Sequence, residues 1–233
     1  MLQELKADLA RYPGGTFQRL SLALRCAGFY PVVVYRIGHD IYVRWPRSLA
    51  MLAKVPYKIV AFLTEWATGI SIAPDATIGP GLYIGHWGCT RIGTRVKLGA
   101  NCNISPMVFM GLGARDGKLG VPELGDRVYV AVGAKIIGPV KVGSDVAIGA
   151  NAVVCKDVPD HVTVGGIPAK VISRKGSAAY IQVGQEIEIA PTPERSIDIA
   201  EVRRANEDVV RRRGASAHDP AKAEEEAGRS TAG

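Results

Sequence analysis

Aromatic residues make up only 6% of this chain, and twelve of the fifteen lie at or before Trp87. A core of packed rings is therefore excluded from the second half, where Gly, Val, Ile and Ala dominate. Cysteine is also scarce: four residues, at 26, 89, 102 and 155, follow neither CxxC nor any paired metal-ligand spacing. Long uninterrupted apolar runs are missing. The two candidates, SLALRCAGFYPVVVYRIG and SLAMLAKVPYKIVAFL, are broken by Arg25, Pro31, Arg36, Lys54 and Lys58, and neither suits a bilayer span. The opening MLQELKADLARY lacks the basic, apolar, small-residue order of a secretory signal. These absences lead to the expectation of a reduced, cytoplasmic protein with buried thiols.

The net charge of +7 is unevenly placed. Residues 1–69 carry nine basic and four acidic side chains, residues 70–193 twelve and nine, and residues 194–233 eight and nine. The basic, aromatic first segment reads as an N-terminal α-helical unit over 1–69. Packing of these helices on one another is the simpler expectation, with a peripheral membrane contact left open.

Aliphatic residues then recur every six positions: Ile72, Ile78 and Ile84; Ile92, Leu98, Ile104 and Met110; and Leu124, Val130, Ile136, Val142, Ile148 and Val154. The next residue is usually glycine, and the fourth is small or β-branched. A helix does not repeat at six, and a β-sandwich has irregular hairpin spacing. Six residues make one short strand and one tight turn, and three such units close a triangular coil. The period therefore predicts a parallel β-helix of hexapeptide repeats over 70–175, with coils stacking their aliphatic residues in one column. The glycines at the second position are expected to relieve the corner turns.

Two steps break the period. Between Ile84 and Ile92 the step is eight, placing His86 in a bulge, GHWGCT; between Met110 and Leu124 it is fourteen, giving a protruding loop, GLGARDGKLGVPE. Long loops in a compact repeat are usually functional, and both interruptions are expected near one edge of the prism.

The segments ATIGPGLYIGHWG, VGAKIIGPVKVGSDVAIGANAVV and KDVPDHVTVGGIPAKVI, with the lead-in YRIGHDIY and TGISIAP, resemble the serine O-acetyltransferase branch of the left-handed β-helix acyltransferases over about residues 25–175. The resemblance implies a mainly β, left-handed coil with a helical lead-in, a homotrimer that two trimers joined through their helices would extend, and acetyl-CoA bound between adjacent prisms. It implies His86 as general base. Neutral imidazole, with an unperturbed pKa of about 6.5, suits removal of a hydroxyl proton, a task worth roughly 10²–10⁴ in rate. Ala131, Gly133, Ala134, Gly149 and Ala150 match the family's cofactor-facing turns, and Lys135, Lys170 and Arg174 or Lys175 are candidates for the phosphates. No metal is expected, because the four histidines do not show the spacing of the zinc β-helix enzymes.

The acceptor side departs from the family. The acid that orients the catalytic histidine is matched by Ser71, its HP histidine by Ala73, the aspartate before the base by Gly85, and the carboxylate-holding Arg-His pair of the loop by Gly120 and Val121. Asp75 and Ser71 remain as orienting groups, and Arg91 and Arg115 as acceptor-site cations. Loss of a charged partner costs a bound carboxylate roughly 1.5–3 kcal/mol. The favoured acceptor is therefore a sugar or other small hydroxyl compound. Serine, as in cysteine biosynthesis, and a non-catalytic trimeric scaffold are the alternatives. Residues 176–233 read as a charged extension, partly disordered, with a short helix over EVRRANEDVVRRR, and basic runs without interleaved aromatics give no nucleic-acid site.

Overall fold

The structure is a computed structural model and describes residues 1–181. The expected C-terminal helix and disordered tail lie outside the described residues.

Four α-helices lead in: α1 (Leu2–Leu9), α2 (Thr16–Arg25), α3 (Phe29–His39), continued by a π-helical turn over Asp40–Arg44, and α4 (Arg47–Thr68). Gly69, left-handed at φ 69°, ends α4, and its N–H donates to the Glu65 carbonyl at 2.7 Å. The first strand begins at the next residue.

A left-handed parallel β-helix follows, with three faces. The first holds β1 (Ile70–Ile72), β4 (Thr90–Ile92), β7 (Phe109–Gly111), β12 (Lys135–Ile137) and β15 (Val153–Val154). The second holds β2 (Thr77–Ile78), β5 (Lys97–Leu98), β10 (Glu123–Leu124) and β13 (Lys141–Val142). The third holds β3 (Tyr83–Ile84), β6 (Asn103–Ile104), β11 (Tyr129–Val130), β14 (Ala147–Ile148) and β16 (Thr163–Gly165), closed by antiparallel β17 (Lys170–Ser173).

The six-residue period becomes a column of inward side chains. Ile84, Ile92, Ile104, Met110, Ile136 and Ile148 are fully buried, and so are the small corner residues Val96, Cys102, Val108, Val128, Ala134 and Ala152. Each buried large aliphatic side chain contributes about 1.5–3 kcal/mol. The column is narrow enough to explain the shortage of rings.

The corner glycines act differently from expectation. The left-handed residues of the corners sit three places after the aliphatic position and are mostly not glycine: Arg95, Asn101, Met107, Arg127, Asp145 and Asn151. Most glycines directly after the aliphatic position are there because coils touch, while Gly85 and Gly111 face the rings of Tyr83 and Phe109. A Cβ on Gly99 would stand 2.6 Å from the Gly125 backbone, and one on Gly79 2.7 Å from Ala100 N. Coil-to-coil contact, not turn strain, selects them.

The helices dock on the first coil through buried polar groups. Arg36 donates to the carbonyls of Ile78 and Gly79, both at 2.7 Å, and pairs with Asp8 at 2.9 Å. Asp8 in turn accepts from the N–H groups of Gly81 and Leu82 at 2.9 and 2.8 Å. Tyr35 donates to Ala76 O and accepts from Ile78 N. The open backbone of the first coil is thereby satisfied by helix side chains.

Candidate functional site

His86 lies in the bulge between β3 and β4, on the edge joining the third face to the first, and its side chain is exposed. The imidazole has no hydrogen-bond partner among the described residues. The backbone around it is held from both sides. Cys26 Sγ donates to Gly85 O at 3.2 Å, and Gly28 approaches Ile84 so closely that a Cβ would overlap its carbonyl. On the other side Gly88 N–H donates to Thr68 O and Thr90 N–H to Gly69 O, both at 3.0 Å. The α2–α3 corner and the end of α4 thus fix the segment carrying the histidine. These anchors, Cys26, Gly28, Thr68 and Gly69, were not singled out from the sequence, because they act through backbone groups about twenty or about sixty residues away.

The cofactor candidates fall mainly on the same edge. Ala131, Gly133 and Ala134 form its corner two coils above His86, and Gly149 and Ala150 the corner above that, at roughly 4.8 Å per coil. Ala150 is exposed and Gly149 half-buried. Ala134 has no exposed surface, its methyl filling the prism core, so only its backbone is open to a role at the edge. Gly133 has φ 73°, and a Cβ there would overlap the Asn151 side-chain amide, although the same corner position one coil below and one above carries Met107 and Asn151. Lys135 donates to Gly133 O at 2.6 Å, and Lys170, the first residue of the closing strand β17, is exposed.

The acceptor candidates lie elsewhere. Ser71, Arg91, Phe109 and Lys135 are in register across the first face. Ser71 donates to Glu65 Oε2 at 2.9 Å, and Arg91 lies 3.7 Å from the same carboxylate. Glu65, on the last turn of α4, is a site neighbour that sequence reasoning missed. Asp75 accepts from Thr94 on the edge joining the first and second faces, so it cannot orient His86 of the same chain. Neither does Ser71, which is spent on Glu65.

The long interruption is a hairpin, β8 (Gly113–Arg115) and β9 (Lys118–Gly120), turned by Asp116 and Gly117 at φ 51° and 73°. Asp-Gly with two positive φ values is the signature of a tight hairpin turn. It also springs from the edge joining the first and second faces. The two interruptions therefore do not share an edge, contrary to expectation, because the bulge follows a third-face strand and the hairpin a first-face strand. Arg115 on this hairpin pairs with Asp157 at 2.8 Å.

The thiols also differ from expectation. Cys102 is buried, Cys26 half-buried, and Cys89 and Cys155 are exposed, since both occupy outward corner positions. Among the described residues no three His, Cys, Asp or Glu side chains are grouped to hold a metal ion. A crevice of about 30 Å³ between α3, α4 and β1 has room for a water, not for acetyl-CoA.

No protein-family model matches the chain. It is 34% identical over 157 residues to the serine acetyltransferase of Bacillus pumilus, covering 67% of this chain and 69% of that protein. The chain belongs to the serine acetyltransferase family. It is also 37% identical over 147 residues to the serine acetyltransferase of Mycobacterium tuberculosis, a match covering 63% of this chain and 61% of that protein. The alignments thus span about three fifths to two thirds of these relatives. Among solved structures, serine acetyltransferase from Neisseria gonorrhoeae superposes with a TM-score of 0.61 at 28% identity, over 74% of this chain and 68% of that one. A serine acetyltransferase in complex with CoA superposes with a TM-score of 0.62 at 25% identity, over 73% and 69%. Membership makes this an acetyl-CoA-dependent O-acetyltransferase of the hexapeptide-repeat β-helix type.

Proposed function

We propose that the chain transfers the acetyl group of acetyl-CoA to the hydroxyl of serine, with His86 as general base. The observation that carries this reading is 34–37% identity to serine acetyltransferases across the β-helix that bears the histidine. It displaces a sugar as the first choice of acceptor. In the reaction, an imidazole nitrogen takes the hydroxyl proton as the oxygen attacks the thioester carbonyl. The tetrahedral oxyanion then collapses, the C–S bond breaks, and the proton passes from imidazolium to the departing thiolate.

The site is proposed to be completed in a homotrimer. His86 and the β8–β9 hairpin sit on different edges of the first face, so within one protomer they do not meet. Prisms packed side by side bring one edge of each against a different edge of its neighbour, with acetyl-CoA along the small-residue corners between them. A cytoplasmic location goes with this reading, supported by use of acetyl-CoA and by four cysteines that all remain thiols.

A neutral sugar hydroxyl is the second reading, favoured by one observation. Gly120 and Val121 offer no charge to a carboxylate, while Arg115 and Arg91 already face Asp157 and Glu65. Exposed pairs of this kind are worth about 0–1 kcal/mol, so a bound carboxylate competes with them, which keeps serine in first place. Thiol release from acetyl-CoA, measured with serine and with a panel of sugars and nucleotide sugars, separates the readings. Turnover with serine, lowered about 10²–10⁴-fold in kcat by His86→Ala, is expected. Turnover only with sugars would replace serine, and no thiol release with any acceptor would leave a scaffold.

A further inference from the structure

Helix α4 buries one stripe and leaves the opposite face apolar. Ala50 and Tyr57 pack on Ile41, with Ala53 and Ala61 beside them. At 3.6 residues per turn the opposite side carries Leu52, Val55, Ile59, Phe62, Leu63 and Trp66, each 55% to 82% exposed. Apolar patches of this extent are rare on solitary soluble chains. The four charged residues of the helix, Arg47, Lys54, Lys58 and Glu65, all fall on one flank. Glu65 is taken by Ser71 and Arg91. The three cations have no carboxylate partner among the described residues. They belong to the segment with nine basic and four acidic side chains.

We propose that the outward face of α4 is a membrane-docking keel, lying in the interface of an anionic lipid surface. Its apolar ridge, running about 20 Å from Leu52 to Trp66 at 1.5 Å per residue, enters the acyl boundary. Arg47, Lys54 and Lys58 meet lipid phosphates at the headgroup level. Charge complementarity selects this occupant over a second copy of the chain. Two copies packed antiparallel through this face bring their cationic flanks together, and two packed parallel set each cationic flank against an uncharged one, whereas anionic headgroups oppose the cations with the correct sign. No single helix among the described residues is long and apolar enough to cross a membrane, and the proposed contact of α4 is peripheral. The end of this helix is also hydrogen-bonded to the bulge carrying His86, through Thr68 and Gly69. Docking therefore sets the reactive edge near the lipid surface.

The test is co-sedimentation of the full chain with vesicles of phosphatidylcholine alone and of equimolar phosphatidylcholine and phosphatidylglycerol. Binding to the mixed vesicles is expected, weakened but not abolished at about 1 M salt, where the Debye length is about 3 Å. The double change Phe62→Glu, Trp66→Glu should abolish sedimentation. The double change Lys54→Glu, Lys58→Glu should lower affinity more than about tenfold, at about fivefold per charge. Sedimentation equilibrium without vesicles reads the rival. Should the chain stay in the supernatant with both vesicle types, the proposal falls. It falls equally where Phe62→Glu, Trp66→Glu reduces the mass of the assembly and vesicles bind neither form, which assigns the face to a second copy.

Discussion

Asp8 and Arg36 form an ion pair with 0% and 2% of their side chains exposed, and each spends its remaining hydrogen bonds on the backbone of the first coil. The pair thereby links α1 and α3 to the same turn, over residues 78–82. A buried pair adds little over a well-packed apolar substitute, but removing one partner leaves a charge without compensation.

Asp8→Ala is therefore expected to cost about 3–5 kcal/mol, since it strands the Arg36 guanidinium and the Gly81 and Leu82 N–H groups together. Denaturant unfolding followed by circular dichroism checks this. A loss under about 1 kcal/mol would show that water reaches the pair and that the helices dock chiefly by apolar contact.

Gly99→Ala should cost more than about 2 kcal/mol, because the new methyl stands 2.6 Å from the Gly125 backbone and forces two coils apart. Gly15→Ala, where nothing lies within 4 Å of the added carbon, should stay within about 1 kcal/mol. Thermal melts of the two variants side by side distinguish coil contact from a general intolerance of change at glycine.

The column of Ile84, Ile104, Ile136 and Ile148 was legible from the period of six alone, since one inward position per strand is all that a narrow prism allows. The bulge at His86 and the hairpin were legible as departures from that period. Their edges were not, because which corner an insertion occupies depends on counting strands around three faces, and a third-face step and a first-face step look alike in one dimension. The turn in ARDGKL carried its own Asp-Gly signal, which the length of the loop obscured. The anchoring of the bulge by Cys26, Gly28, Thr68 and Gly69 left no sequence pattern, as all four meet the bulge at backbone carbonyls and N–H groups that every residue possesses. The apolar residues of α4 were visible as a run, but only the structure separates the stripe that packs on Ile41 from the face left open.

Thiol reactivity should divide the four cysteines. Burial pushes the Cys102 thiol up to about 11, so at pH 8 almost no thiolate forms there and the probe has no path to it. Cys89 and Cys155 are exposed. A chromogenic disulfide reagent is expected to titrate these two first, Cys26 more slowly, and Cys102 only after denaturant is added. Rapid reaction of Cys102 in the native protein would mean that the coils open locally.

Asp145, between β13 and β14, joins the corner below it, which carries Arg127, to the segment after β17. Its carboxylate accepts two hydrogen bonds from Arg127 at 2.6 and 2.7 Å, and its carbonyl accepts from Ser177 N–H at 3.0 Å. The Arg127 hydrogen bonds, and the charge behind them, hold the Asp145 carboxyl below its ordinary value of 3.8 against some desolvation. A carboxyl whose folded value is depressed binds its proton more readily in the unfolded chain, so its contribution is present above about pH 4 and is lost as the pH falls through the folded value. Because Arg127 is about half exposed, solvent screening limits that contribution to about 0.5–1 kcal/mol. Asp145→Asn should therefore lower stability by that amount at pH 7 and by progressively less as the pH falls below about 4, read from denaturant midpoints across the range. A difference that stays constant with pH would assign the role of Asp145 to its neutral hydrogen bonding alone.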